Sequence, residues 1–171
     1  EEINRIVTDS ISDMLFTSCA DANRNLAKEG ISKSKIFFTG NIMIDSLLSA
    51  LPIANETDIL QRLGVSDDDF CLVTLHRPGN VDEKSNLSKI LNGLGEISKL
   101  HTIVFPSHPR TMKNITEFGL LPVLRKYPRL MMCNPLSYLD FINLTANARL
   151  VLTDSGGIQE ETTVLGVPCL T

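Results

Sequence analysis

The residues best suited to chemistry are Asp154-Ser155-Gly156-Gly157-Ile158-Gln159-Glu160-Glu161, where an apolar run ends and a helical pattern carrying two carboxylates begins. Two glycines at a helix start are a poor choice for stability, since each costs roughly 1 kcal/mol against alanine inside a helix. A capping box does not explain them: three residues after Ser155 stands Ile158, and after Asp154 stands Gly157, neither being Glu or Gln. Bare backbone here suits close approach by a guest from outside the chain. Free N–H groups and the positive end of the helix dipole favour an anion, phosphate being the commonest. A tight strand-to-helix turn with no guest is the competing reading, and this segment alone does not separate the two.

Two further polar clusters repeat the placement. His76-Arg77 follow the apolar run 71–75, and Ser107-His108-Pro109-Arg110 follow the run 103–106. Each of the three clusters thus stands at the carboxyl end of an expected parallel strand, the edge where open α/β sheets bind ligands. A solitary His or Arg in a loop is ordinarily a solvated surface group. Three clusters on one edge make a shared anion pocket the better reading. Ser155, Gly156 and Gly157 would offer N–H groups, and His76, Arg77 and His108 cationic side chains. His76 beside a diphosphate would have its pKa raised, making it a proton donor or a cationic clamp near neutral pH. Glu161 lies four residues after Gly157, one turn below it on the same helical face. A carboxylate there would repel phosphate and is better matched to sugar hydroxyls; compensation of the helix dipole is the plainer alternative. Phe141 stands one step off the stripe of Leu139, Ile142 and Ala146, so its ring could meet a base or simply fill the core.

Such clusters need a scaffold, and short apolar runs alternating with longer amphipathic ones supply it. Strands are expected over 14–18, 35–39, 70–75, 102–106, 130–133, 149–153 and 167–171. Helices are expected over 20–29, 42–50, 83–99, 112–118, 138–146 and 158–165. Strands alternating with helices of this size make βαβ units around a mainly parallel sheet. Right-handed crossovers then favour an open doubly wound, Rossmann-like α/β fold. The most polar connection, 51–69, carries Pro52, Asn55 and the run Ser66-Asp67-Asp68-Asp69, so a domain boundary is expected near 47–55. Residues 1–50 hold two strands, too few to stand alone, and 51–171 hold five strands and a core of their own.

The 171 residues, 43% of them hydrophobic, describe a folded globular chain. A net charge of −4, with no basic run and no basic–aromatic interleaving, speaks against nucleic acid or an anionic membrane as partner. No apolar run is long enough to span a bilayer, and no signal peptide opens the chain. Cys19, Cys71, Cys133 and Cys169 lack metal-ligand spacing and read as buried, reduced thiols of a cytoplasmic protein. The chain starts in mid-pattern at Glu1-Glu2 and stops at Pro168-Cys169-Leu170-Thr171 inside an expected strand, which reads as a piece of something longer.

Several segments match a known pattern: Glu1-Glu2-Ile3-Asn4-Arg5, Phe38-Thr39-Gly40-Asn41 with Ile44-Asp45, Thr74-Leu75-His76-Arg77, and 150–161 followed by Leu165-Gly166-Val167-Pro168. Over essentially its whole length the chain resembles the UDP-N-acetylglucosamine 2-epimerases, and most of all their non-hydrolysing bacterial and archaeal type. The resemblance implies two Rossmann-like domains facing each other across a cleft, as in glycosyltransferases of the B architecture, with this chain covering the end of the first and most of the second. It implies an isomerase without a cofactor, interconverting UDP-N-acetylglucosamine and UDP-N-acetylmannosamine. UDP would be eliminated to leave 2-acetamidoglucal, then added back with C2 inverted. By resemblance Ser155, Gly156 and Gly157 hold the diphosphate, Glu161 the ribose, and Phe141 with the backbone near Leu136 the uracil. His76 matches the family's essential histidine and Glu1 one of its active-site carboxylates. A homodimer, activation by UDP-N-acetylglucosamine at a second site and a role in polysaccharide biosynthesis are implied as well. Where the family usually carries Glu before Asn after His-Arg, this chain reads Pro78-Gly79-Asn80, which puts the shape of that loop and any activator contact there in question. The other active-site carboxylates and the first glycine-rich loop fall ahead of Glu1, so the isolated piece is expected to be inactive. A hydrolysing epimerase releasing UDP and N-acetylmannosamine, a glycosyltransferase of the same architecture, and a non-catalytic nucleotide-sugar sensor remain alternatives.

Overall fold

A computed structural model describes residues 2–66 and 69–171. The carboxylate expected at Glu1, and Asp67 and Asp68 of the acidic run, lie outside the described residues. The chain divides into two compact units, Glu1–Ser46 and Leu47–Thr171. The first contains helix α1 (Glu2–Ile11), strand β1 (Leu15–Thr17), helix α2 (Ala20–Lys28), strand β2 (Ile36–Phe38) and the start of helix α3 (Ile42–Ala54). Strands β1 and β2 pair in parallel, Leu15 opposite Ile36. Helix α1 is not among the elements expected above. Ion pairs hold its exposed face: the Arg5 guanidinium reaches Glu2 at 2.8 Å and Asp9 at 2.6 Å, and Glu29 after α2 at 2.6 Å. Pairs three and four residues apart support a helix without adding to its apolar pattern.

The second unit takes up the end of α3 and continues with α4 (Ile59–Leu63), β3 (Phe70–Thr74), α5 (Pro78–Val81), α6 (Lys84–Ser98), β4 (Thr102–Pro106), α7 (Pro109–Glu117), α8 (Leu121–Lys126), β5 (Leu130–Cys133), α9 (Tyr138–Asn147), β6 (Leu150–Thr153), α10 (Gly156–Leu165) and β7 (Cys169–Leu170). Its five strands form one sheet in the order β5-β4-β3-β6-β7, every neighbouring pair parallel. This is the doubly wound, Rossmann-like α/β class expected from the alternation of strands and helices.

The central strands are covered on both faces, which is why they read as unbroken apolar runs. Cys71 and Val73 of β3, with Ile103 and Phe105 of β4, pack against Leu87, Leu91 and Leu94 of α6 and Ile115 of α7. Phe70 and Leu72, with Val104, face the opposite way into Ile59, Leu144 and Val151. Each such side chain contributes about 1.5–3 kcal/mol by leaving water. Helix α3 runs on through Pro52 to Ala54, past the end expected at residue 50. Pro52 removes one backbone donor, but the helix end is pinned from α9, where the buried Asn143 amide donates to the Ala54 carbonyl at 2.7 Å and to Thr57 Oγ1 at 3.0 Å. The cysteines correct the expectation in part. All four are free thiols, yet Cys19 is exposed, Cys133 and Cys169 are half-buried, and only Cys71 is buried. Burial pushes the thiols of Cys71 and Cys133 up. No helix among the described residues is long and apolar enough to cross a membrane.

Candidate functional site

The strand order reverses between β3 and β6, and at such a switch point adjacent loops part to open a crevice at the carboxyl edge of the sheet. Thr74 pairs in register with Thr153, so His76-Arg77 and the 154–157 segment leave the sheet side by side. What joins them is Asp154. Its carboxylate accepts the backbone N–H of His76 at 3.1 Å, that of Arg77 at 2.9 Å and the Asn80 side-chain amide at 2.9 Å. His76 Nδ1 lies 3.0 Å from Oδ1 of the same group. Arg77 Nε in turn donates to the Asp154 carbonyl at 2.7 Å. The Asp154 side chain is only 7% exposed. Burial pushes its carboxyl up, but the Asn80 amide, the Arg77 and His76 backbone donors and the His76 ring together outweigh that and hold it below the usual carboxylate range.

One residue on, Ser155 takes the N-cap position of α10 without using its side chain as a cap. Its N–H donates to Thr153 Oγ1 at 3.0 Å, and its carbonyl accepts from Gln159 Nε2 at 3.1 Å. The amides of Gly156, Gly157 and Ile158 find no acceptor among the described residues, as geometry dictates for the first turn of a helix. Among the described residues nothing demands glycine at 156. Its φ is not in the left-handed region, and a Cβ built there would meet no heavy atom within 4 Å beyond its neighbours and its own helix backbone.

Lower on α10, Glu161 is 7% exposed, and its carboxylate makes no hydrogen bond among the described residues. Burial pushes that carboxyl up. The exposed Tyr138 hydroxyl at the start of α9 is also pushed up, by burial first and then by the Glu161 charge. Burial disfavours the charged form of a carboxyl, which is the cause of the Glu161 shift. Leu136 and Phe141 are half-buried, each packed against the core cluster of Phe70, Leu72 and Leu144, so part of the Phe141 ring fills core. His108 is exposed at the end of β4 and caps α7, its Nδ1 accepting the Arg110 N–H at 3.2 Å. It makes no hydrogen bond to the other two clusters among the described residues. Arg110 instead pairs with Asp82, and Asn114 donates to the Val81 carbonyl at 2.9 Å, tying α7 to the loop after α5. Among the described residues no cluster of His, Cys, Asp and Glu is arranged to hold a metal ion.

The structure therefore brings His76, Arg77, Ser155, Gly156 and Gly157 together, places Glu161 one turn away, sets Leu136 and Phe141 at the rim of the core, and leaves His108 on the neighbouring strand end. The family model for UDP-N-acetylglucosamine 2-epimerase matches residues 1–171. The chain belongs to that family. The UDP-N-acetylglucosamine 2-epimerase of Methanocaldococcus jannaschii is 44% identical over 176 residues, covering 100% of this chain and 48% of that protein. The crystal structure of the same enzyme in complex with UDP-GlcNAc and UDP superposes on 99% of this chain with a TM-score of 0.84, again over 48% of its own length. The UDP-2,3-diacetamido-2,3-dideoxy-D-glucuronate 2-epimerase of Pseudomonas aeruginosa is 40% identical over 174 residues, covering 100% of this chain and 46% of that protein. This epimerase-family chain thus spans about half the length of the relatives it matches. Sequence reasoning places Asp154 in the helix-start segment without giving it a role, and it gives none to Asn80. An acidic residue at the end of the fourth strand of a doubly wound sheet, which lies beside the first, is the signal that could have found Asp154.

Proposed function

We propose that the intact protein interconverts UDP-N-acetylglucosamine and UDP-N-acetylmannosamine, that 51–171 belong to its UDP-binding domain and that 1–50 close its first domain. Carbon 2 of the sugar has no adjacent carbonyl to acidify its proton, so direct removal and return at C2 is too slow. Elimination avoids the problem. A base takes the C2 proton, its electron pair forms the C1=C2 bond, and UDP departs with the C1–O pair, leaving 2-acetamidoglucal. Re-addition returns a proton to the opposite face of C2 while a UDP oxygen attacks C1. Charge grows on the departing diphosphate, so fixed donors aimed at it lower the barrier. In this reading the Gly156, Gly157 and Ser155 backbone, His76 and Arg77 hold the diphosphate, Glu161 accepts the ribose hydroxyls, and Phe141 with the backbone near Leu136 contacts uracil. His108 belongs to the outer wall of the pocket, and Glu1 is one of the carboxylates working at C2. The intact protein is then a cytoplasmic homodimer that needs no cofactor.

The observation that carries the reading is the set of helix-start amides without acceptors at 156–158, beside a His-Arg pair that a buried carboxylate fixes in place. Incubating the intact protein with UDP-N-acetylglucosamine in heavy water tests it. Deuterium at C2 of both UDP-sugars is the expected result; absence of exchange refutes the reading. Free N-acetylmannosamine would mark the hydrolysing reaction, and turnover only with an acceptor sugar a transferase. Exchange confined to UDP-2,3-diacetamido-2,3-dideoxy-glucuronate would move the substrate to that of the Pseudomonas relative.

A further inference from the structure

Asp154 has no role in binding UDP as described above, yet it is the best-satisfied carboxylate near the crevice. Its oxygens accept from two consecutive backbone N–H groups and from the Asn80 amide, its Oδ1 lies 3.0 Å from the His76 Nδ1, and its side chain is 7% exposed. A helix cap would explain a bond to the amides of its own helix; these partners come instead from the β3–α5 turn and from α5, at sequence distances of 74 to 78 residues. We propose that Asp154 is a positioning residue of the epimerase site that orients the His76 imidazole through Nδ1. The inference rests on the epimerase reading for its catalytic part.

A carboxylate oxygen 3.0 Å from Nδ1 favours the ring hydrogen on Nδ1, which leaves Nε2 as the working nitrogen of the proposal. The His76 side chain is 57% exposed, and it is Nδ1, not Nε2, that lies against Asp154. A proton on Nε2 is shared with the leaving phosphate oxygen as C1–O breaks. It returns to Nε2 when that oxygen attacks C1 of the glycal, so His76 ends each turnover as it began. Asp154 itself neither gains nor loses a proton. Asn80, the third residue of α5, supports the arrangement by donating to the other carboxylate oxygen, Oδ2.

The test uses the intact protein and the variant Asp154→Asn, which keeps the shape and one acceptor oxygen but presents NH2 where an acceptor is needed. Nitrogen-15 NMR of the histidine rings is expected to show the hydrogen of His76 on Nδ1 in the wild type and its redistribution to Nε2 in the variant. In the C2 exchange assay, kcat is expected to fall at least about tenfold with KM within about threefold, the signature of lost acid–base alignment. In a His76→Ala background the same substitution is expected to change kcat by less than about twofold, since a residue acting through another loses its effect when that other is gone. An unchanged kcat, or an equal fall with and without His76, overturns the proposal. If the wild type shows no C2 exchange at all, the epimerase reading fails, and the tautomer still decides the positioning claim: a hydrogen on Nδ1 upholds it, a lone pair there overturns it.

Discussion

Replacing Gly156 by alanine separates the two explanations for a double glycine at a helix start. Position 156 opens α10, has no left-handed φ, and offers an added Cβ open space out to 4 Å beyond its own backbone surroundings. The folded chain has no use for glycine here, while the unfolded chain is more flexible with it. Alanine should therefore stabilise the free protein by about 0.4–1 kcal/mol. In a chain of this size that raises Tm by roughly 1–4 °C. The methyl group projects from the helix start where phosphate oxygens must come within hydrogen-bonding distance of bare amides. Loss of that approach should weaken UDP binding at least about tenfold, or about 1.4 kcal/mol. Differential scanning calorimetry without nucleotide and titration calorimetry with UDP, both on the intact protein, read the two effects. A lower Tm would show that the glycine serves the fold. Unchanged UDP affinity would show that no ligand approaches this backbone, and either result refutes the reasoning.

Two further outcomes follow from buried groups. Glu161→Gln should weaken UDP binding about tenfold, yet stabilise the free protein near pH 7, because it removes a charge that burial disfavours. With the native carboxyl pushed up by burial, the folded state keeps its proton longer than the unfolded chain, so wild-type stability falls as pH rises through that interval. The advantage of the variant should accordingly fade as pH drops into and below the ordinary carboxylate range; chemical denaturation at several pH values checks this, and a pH-independent difference contradicts it. Gly95→Ala should destabilise, since its Cβ would run into the Tyr127 ring, with Cγ only 2.7 Å away. Overpacking of about 1–3 kcal/mol exceeds the gain of about 1 kcal/mol from alanine in a helix. Gly93→Ala in the same helix has open space around it and should not destabilise; thermal scans showing the two variants alike would contradict the packing account.

The parts of the fold legible in the sequence are those set by local burial. Strands β4 and β5 occupy the expected residues 102–106 and 130–133, because a strand covered on both faces is an uninterrupted apolar run with polar residues at each end. Helices α4, α5 and α8 span five, four and six residues, too short for an apolar period to show. The end of α3 beyond Pro52 is held by Asn143, which lies 89 residues from Ala54 in the chain and whose pairing no local pattern announces. The site divides along the same line. The helix-start glycines are readable because two of them oppose local stability. Asp154 is not, because its meaning comes from the register of β3 against β6, and an Asp before Ser in a turn has several ordinary explanations. Phe141 is half-buried and packed on the core, as the plainer of its two readings requires.

A crystal structure of the intact protein with UDP bound tests the account at its root. The prediction is diphosphate oxygens within hydrogen-bonding distance of the Gly156 and Gly157 amides, with His76 Nε2 facing them and the ribose hydroxyls on Glu161. Nucleotide bound at another place, with those amides still donating to nothing or to the protein itself, would contradict it.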